Sequence, residues 1–467
     1  MMVVLRKRTA GIGIGILFTI LSAIPVYAQK NNTYSLNDLV DSLQHFMPML
    51  LQKQALVNSA KAGVTDARHA FLPKVLVSDE LSIASSNSLS GAYLPLGAIP
   101  SVSGSIRAGN DLQAATGNIA SLYGEYELVN FGLRNAKVDN ALAYAGLEQA
   151  DYNKELYLLK IRLGRLYFTL LKNRFQLGVD EQNISRYESL YAVTSALSAS
   201  GIKAGVDSSL ARAELSKSRV SYNQRIGLIN QLTQEMAYLT GIPASQINID
   251  TSSKKYPGPA ANSFKNAGNT DNPLLVYYNN QKILYQSTEN LVKKSYLPKI
   301  LLAVGGWGRG SSIQYNDDYK SLGTGLGYQR FNYAAGIAIT YDLFNGVHKK
   351  DKLAQSHFQT QASDYELQQQ QLWLQNSVAQ SDESIKVAEK NLAELPYQLQ
   401  AASEAFEQKL AQYKAGIINL VDLTNASFVL YTSQTSYIET LNDWFVANLN
   451  RSAATGNLDS FIQTIKR

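Results

Sequence analysis

The side chains able to do covalent or metal chemistry are few and scattered. The four histidines are His45, His69, His348 and His357, and none stands at the helical spacing of a zinc-protease site. No Gly-x-Ser-x-Gly nucleophile elbow occurs. The carboxylates show no paired arrangement suited to acid–base work. Cysteine is absent, which excludes disulfides, thiolate metal sites, thiol catalysis and a lipid anchor on an N-terminal cysteine. Gly323-Thr324-Gly325-Leu326-Gly327 is rich in glycine but fits neither the dinucleotide nor the phosphate-loop spacing. An enzyme has no positive support, and no cofactor or metal is expected.

The N-terminus gives a compartment instead of a chemistry. Arg6-Lys7-Arg8 precedes an apolar run from Gly11 to Ile24, and Pro25-Val26-Tyr27-Ala28 reads as a small-residue cleavage site. Residues 1–28 therefore read as a secretory signal peptide. At ~1.5 Å per residue its apolar run is too short for a bilayer core of about 30 Å. Beyond it, no apolar run is long enough for a transmembrane helix. Without the three leader cations, 40 of the 43 basic residues stand against 37 acidic ones. That charge is too small and dispersed to argue for nucleic acid.

An internal repeat organises the rest. Met47-Pro48-Met49-Leu50 matches Asn272-Pro273-Leu274-Leu275, and Phe71-Leu72-Pro73-Lys74 matches Tyr296-Leu297-Pro298-Lys299, both at an offset of 225. A second block matches at 215: Leu128 with Leu343, Asn130 with Asn345, Gly201-Ile202 with Gly416-Ile417, Asp207 with Asp422, Ala211 with Ala426, and Thr240-Gly241 with Thr455-Gly456. Rods forbid length changes and loops permit them, so the shift in offset between Pro73 and Leu128 places variable loops there.

Each copy reads as helix, strand, loop, strand, long helix, turn, long helix. The first repeat spans 29–241, with strands near 73–83 and 119–130 and a helical hairpin over 131–241. A linker follows at 242–271. The second repeat spans 272–456, with strands near 298–308 and 333–345 and a hairpin over 346–456; residues 457–467 form a tail. Pro73 and Pro298 stop the first helix of each copy, because the residue before proline disfavours helix. Asn345 and Gly346 mark where the last strand meets its helix.

The strands alternate with period two. Val75, Val77, Leu81 and Ile83 oppose Leu76, Ser78, Glu80 and Ser82, with Asp79 interrupting the apolar side. Ala335, Ile337, Ile339, Tyr341 and Leu343 oppose Gly336, Ala338, Thr340 and Asp342. Strands of about 9–11 residues suit a membrane barrel, although a half-buried soluble sheet has the same pattern. His348-Lys349-Lys350, just after a strand, fits a membrane–periplasm boundary, and Trp307, Tyr333, Tyr341 and Phe344 fit aromatic girdles.

The helices are longer than globular ones. Leu156, Leu163, Leu170, Leu177, Ile184 and Tyr191 recur every seven residues, which argues for packing against other helices along the whole length. Leu159 and Leu166 fill the intervening position, which turns polar at Asn173 and Asp180. From Phe131 to Ser200 such a helix would be about 105 Å long at ~1.5 Å per residue. Pro396 falls at the level of Glu181 in the other copy, which predicts a kink or short break.

Four membrane-suited strands cannot close a barrel, and an open edge in lipid leaves backbone groups unpaired. Closure needs several chains. Two would give eight strands around a filled interior; three would give twelve around a lumen. A conduit favours three or more, and the number stays open.

At this point the chain resembles the outer membrane efflux protein (TolC) family. The marks are Leu72-Pro73 and Leu297-Pro298 before the strands, Tyr341-Asp342-Leu343-Phe344-Asn345-Gly346 at a strand–helix junction, and the turn Gly416-Ile417-Ile418-Asn419-Leu420-Val421-Asp422-Leu423 followed by Ala426. The first copy has a degenerate version from Gly201 to Ala211. The resemblance implies a mainly α chain with a small membrane β part: a long periplasmic helical barrel, plus four strands per chain in a trimeric twelve-stranded β-barrel. It implies an outer-membrane exit duct, passive and homotrimeric, set in lipid. The duct would dock at its helical tip to a periplasmic adaptor and an inner-membrane pump or ABC exporter. It also implies a gate at the tip. Tyr413 matches the gate tyrosine three residues before the glycine, and Asp422 the first aspartate of the constriction ring. Two positions depart, since Ile418 stands in the arginine position and Asn425 in that of the second aspartate. A ring of Asp422 carboxylates would favour cations; Asp422 and Asp207 also suit helix N-caps. The alternative is a periplasmic adaptor or structural coiled-coil protein without a barrel.

Overall fold

The computed structural model describes residues 33–88, 106, 109–202, 204–249 and 272–465. The expected leader and most of the linker lie outside these residues. Helices α1 (Leu36–Phe46) and α2 (Pro48–His69) lead into strands β1 (Lys74–Ala84) and β2 (Ala115–Val129), then α3 (Leu133–Ala199) and α4 (Gly205–Thr240). The plan repeats as α5 (Pro273–Ser295), β3 (Lys299–Ser311), β4 (Arg330–Thr340), α6 (Asn345–Lys414) and α7 (Leu420–Thr455), and closes with α8 (Leu458–Thr464).

The four strands form one antiparallel sheet in the order β1-β2-β3-β4. The two repeats are thus joined edge to edge through β2 and β3, and among the described residues β1 and β4 each keep one unpaired edge. The register gathers the apolar alternation onto one face: Val77, Leu122, Gly306 and Tyr333 lie in one row, and Val75, Gly124, Val304 and Ala335 in the next. The opposite face is polar, with Ser78 hydrogen-bonded to Ser121 at 2.7 Å. Asp79, the interruption on the apolar face, is met by the Tyr328 hydroxyl from the segment that precedes β4. Val77 is 81% exposed and Tyr333 90%, so among the described residues this apolar face has no partner.

Strand bounds differ from expectation where loops and turns intervene. β2 begins at Ala115 instead of near 119, because residues 322–326 cover its start: Thr116 Oγ1 donates to the Leu322 carbonyl at 2.5 Å and Asn118 Nδ2 to the Leu326 carbonyl at 2.8 Å. β4 stops at Thr340 instead of 345. There the Phe344 amide donates to Asp342 Oδ1 at 3.1 Å, a side-chain turn that starts α6. Tyr341 and Leu343 therefore leave the strand face.

At ~1.5 Å per residue the 67 residues of α3 extend about 100 Å. Its buried stripe follows the heptad at Leu163 and Leu170 and then drifts, passing through Asn173, Gln176, Asp180 and Asn183 to Tyr187 and Leu190. α6 runs unbroken through Pro396, so of the expected kink or short break the break does not form. One missing N–H donor is tolerated because Leu395, Leu399 and Ala402 keep that stretch packed. The tail is likewise no tail: Leu458, Phe461 and Ile462 of α8 enter the main core. The start of the expected linker also packs, with Ile247 and Ile249 buried in the same core. This core is knotted by aromatic contacts, Phe168 stacking on Phe445 at 5.1 Å between centroids and Trp444 meeting Phe445 edge-on. A second, separate core lies at the far end of the helices.

Candidate functional site

The second core is the helical tip, and it joins both repeats. Tyr187 and Leu190 of α3, Ala211 and Leu215 of α4, Phe406 and Tyr413 of α6, and Leu420 and Leu423 of α7 pack in one cluster. The turns that bound it are the same turn made twice. Gly201 and Gly416 have φ of 70° and 76°, a left-handed conformation that glycine adopts without a Cβ penalty. The Gly416 amide donates to the Tyr413 carbonyl at 3.0 Å and the Ile417 amide to the Gln412 carbonyl at 2.9 Å. Gly201 and Ile202 do the same to Ser198 and Leu197, each at 3.0 Å. Both are Schellman closures, so the equal offset in sequence is an equal geometry in space.

Tyr413 is 1% exposed. Its hydroxyl faces the Asp207 carboxylate of the other repeat. Burial first, and then the charge and hydrogen bonding of Asp207, hold the Tyr413 hydroxyl above its ordinary pKa. The contact ties α6 to α4 beside the tip turns.

Asp207 and Asp422 are not N-caps, contrary to the capping expectation. Asn419 caps α7 by accepting from the Asp422 amide at 2.9 Å, and Asp422 sits in the first turn with an exposed side chain. Ala204 occupies the cap position of α4 without a side-chain bond. A carboxylate in a first turn is still favoured by the helix dipole. Asn425 is exposed one turn on, and Ile418 packs against the tip core where a charge was looked for. Ile202 and Ile417, with Val206 and Val421, are exposed at equivalent places in the two copies. Tyr413 and Asp207 are thus brought together, while Asp422 and Asn425 stand apart on the surface of α7.

The junction residues lie at the other end of the rods. Pro73 and Pro298 each stand one residue before a strand, and Asn345 and Gly346 open α6. His348 and Lys350 are exposed beside them. Among the described residues no group of histidine and carboxylate side chains is arranged to hold a metal.

One constellation was only half visible in sequence. Asp180, 1% exposed, accepts from Arg225 Nε and from the Tyr431 hydroxyl, the latter at 2.8 Å. Arg225 Nη1 also donates to Asn173 Oδ1 at 3.1 Å and to Gln176 Oε1 at 2.5 Å. Gln176 Nε2 reaches Glu439 Oε1 at 3.1 Å. The polar breaks at Asn173 and Asp180 were signals; Arg225 and Tyr431 carried none.

Comparison with known proteins gives a consistent answer. The family model for outer membrane efflux proteins matches residues 39–241 and 286–457, leaving out the joint between the repeats. The outer-membrane channel OprN superposes with a TM-score of 0.74 at 16% identity, over 90% of each chain. The outer membrane protein VceC of Vibrio cholerae gives 0.74 at 14%, over 90% of this chain and 96% of that one. The MtrE outer membrane channel of Neisseria gonorrhoeae, in its open state, gives 0.68 at 17%, over 91% and 89%. A search of curated proteins finds no match. Strand pairs with an apolar outward face are the feature that a barrel-less coiled-coil protein would lack. The chain belongs to the outer membrane efflux protein family and is an outer-membrane efflux channel, a transport duct and not an enzyme.

Proposed function

We propose that three copies of this chain form the exit duct of a tripartite efflux or type I secretion system, gated at the helical tip. The observation that carries it is the open four-stranded sheet. Its edge strands β1 and β4 have every residue exposed, and lipid admits no unpaired edge. Joining β4 of one copy to β1 of the next keeps every strand antiparallel, and three copies make twelve strands with a lumen. The polar face carrying Ser78, Ser121 and Glu80 lines that lumen, and the apolar face meets lipid.

The tip supports the gate and the docking. The exposed pairs Ile202/Ile417 and Val206/Val421 offer six-fold apolar contacts, two per chain and position, to a periplasmic adaptor linked to an inner-membrane pump or ABC exporter. The Tyr413–Asp207 contact holds the second hairpin against the first in the closed form. Exposed Asp422 side chains from three copies would surround one axis and favour cations. With Ile418 and Asn425 in place of charged groups, the lock rests on the tyrosine contact and not on a salt bridge.

Mass measurement of the detergent-extracted complex, followed by planar-bilayer recording, tests this. Three chains per complex are expected, with Asp422→Ala lowering cation selectivity and Tyr413→Phe raising the open fraction. A monomer, or a trimer whose conductance ignores both substitutions, would remove the duct or the gate respectively.

A further inference from the structure

The polar face of the sheet carries a charge pattern that a plain duct does not require. Residues facing each other in the register share a side, so Glu80, Ile119, Arg309 and Arg330 form one row on the face of Ser78 and Ser121. The row lies towards the strand ends remote from the rods, where β4 begins at Arg330. Arg309 and Arg330 stand directly opposite on β3 and β4, with Cβ atoms about 5 Å apart. Like charges so placed repel. Both side chains are exposed. Among the described residues neither has a carboxylate partner, and the side-chain hydrogen bond of Arg330 goes to the Gln329 carbonyl at 2.9 Å. Glu80, the anion of the row, stands two strands from Arg309, roughly 10 Å away.

The same face is matched in sign at its other end. Lys74 faces Glu125 in the register, and Lys299 Nζ lies 3.6 Å from Glu127 Oε1. Only the outer row brings two cations together among the described residues of this face. The β3–β4 connection does not cover it. Residues 322–327 lie over the opposite face, bonded to the side chains of Thr116 and Asn118, and a Cβ on Gly310 would strike the Gly325 and Gly327 carbonyls there. We propose that Arg309 and Arg330 are an oxyanion-binding site, repeated in each copy as a cationic ring at the outer end of the lumen. The inference rests on the gated-duct reading, which places this face inside the barrel.

The chemistry suits carboxylates and phosphates. A guanidinium presents its N–H donors as a planar fork that fits two oxygens of one oxyanion. Two forks side by side repel each other when empty and lose that repulsion when an anion sits between them. The next row towards the rods, Ser78, Ser121, Trp307 and Asn332, adds hydroxyl, indole and amide donors on the same face. Each copy brings two cations and one anion to the outer row, so three copies leave an excess of three positive charges around one axis. A ring of that sign draws anions to the mouth and opposes cations. Such anions come either from solutes leaving the duct or from the external medium, and the same forks would hold both.

Planar-bilayer recording of the assembled full-length protein, with pyrophosphate as the probe, decides it. Pyrophosphate is expected to reduce the current, at lower concentration from the strand side than from the rod side, and less so at high salt. Block from the strand side alone identifies anions of the medium as the occupants; block from both sides admits exported ones as well. The double change Arg309→Gln with Arg330→Gln should raise the blocking concentration about tenfold or more and shift selectivity towards cations. Arg330→Gln alone should do so to a smaller extent, and Glu80→Gln, which removes the anion of the row, should lower the blocking concentration. Lys350→Gln, an equal loss of charge at the far end of the sheet, should leave it unchanged. A conducting trimer that pyrophosphate does not block, or that it blocks equally with and without the two arginines, overturns the ring and leaves the duct standing. Absence of any channel overturns the duct, and the ring with it.

Discussion

At the scale of single residues, burial decides most. Burial is the largest cause raising the hydroxyl pKa of Tyr157, Tyr413 and Tyr431, with Asp459, Asp207 and Asp180 respectively adding to it. In the unfolded chain these hydroxyls ionise near about 10. With raised folded values, the unfolded state loses its protons first as pH climbs. Their contribution to stability is therefore complete below about pH 10 and is lost above it. Alkaline titration of helical ellipticity should show this loss, with Tyr157→Phe moving the midpoint to higher pH. An unmoved midpoint would assign the alkaline transition to other groups. At Asp180 the outcome depends on which partner is removed. Arg225→Met leaves a buried carboxylate uncompensated and is expected to cost about 3–5 kcal/mol. The double change Asp180→Asn with Arg225→Met should cost clearly less in denaturant unfolding; equal losses would deny that the two groups are coupled.

At the scale of elements, the tip turns show how one residue sets a long helix's end. Gly416 has φ of 76° with nothing within 4 Å of an added Cβ. Gly416→Ala therefore meets no clash and pays only the left-handed backbone, about 1–2 kcal/mol. Exchange at residues 412–417 should rise accordingly while the main core keeps its protection. Fraying that spreads through all of α6 would show that the turn holds more than its own closure. The rods themselves are stabilised by neighbours: α3 buries one stripe along most of its length against α4, α7, α2 and α5 in turn.

For the whole molecule, the balance between sheet and rods rests on assembly. Among the described residues nothing covers the apolar strand face, and lipid is the solvent it suits. Val77→Arg, near the middle of β1 and 81% exposed, is expected to cost about 2–4 kcal/mol in the membrane and to lower the yield of assembled complex. Ser78→Arg, on the opposite face, should be tolerated. If both variants assemble equally, the two faces have been assigned the wrong way round. Family membership makes this an outer-membrane protein, which is where an apolar strand face finds its solvent.

The sequence by itself determined what is periodic. Two offsets, 225 and 215 (Pro48 to Pro273, Asp207 to Asp422), were enough to show a duplicated plan whose rods permit no insertion. Heptads and alternation then named the elements, because side-chain direction follows local backbone geometry. Strand ends, the helical nature of the tail and the fate of Pro396 were not periodic and were decided by contacts between distant segments. Asp207 shows the limit. Its type and place suited a cap, and only the tip core shared by the two hairpins brought Tyr413 to it. Arg225 shows it again, since a basic residue on a helix reads as solvent-facing until the fold sets Asp180 beside it. A buried charge pair is a relation between elements far apart in the chain, and only tertiary structure fixes that distance.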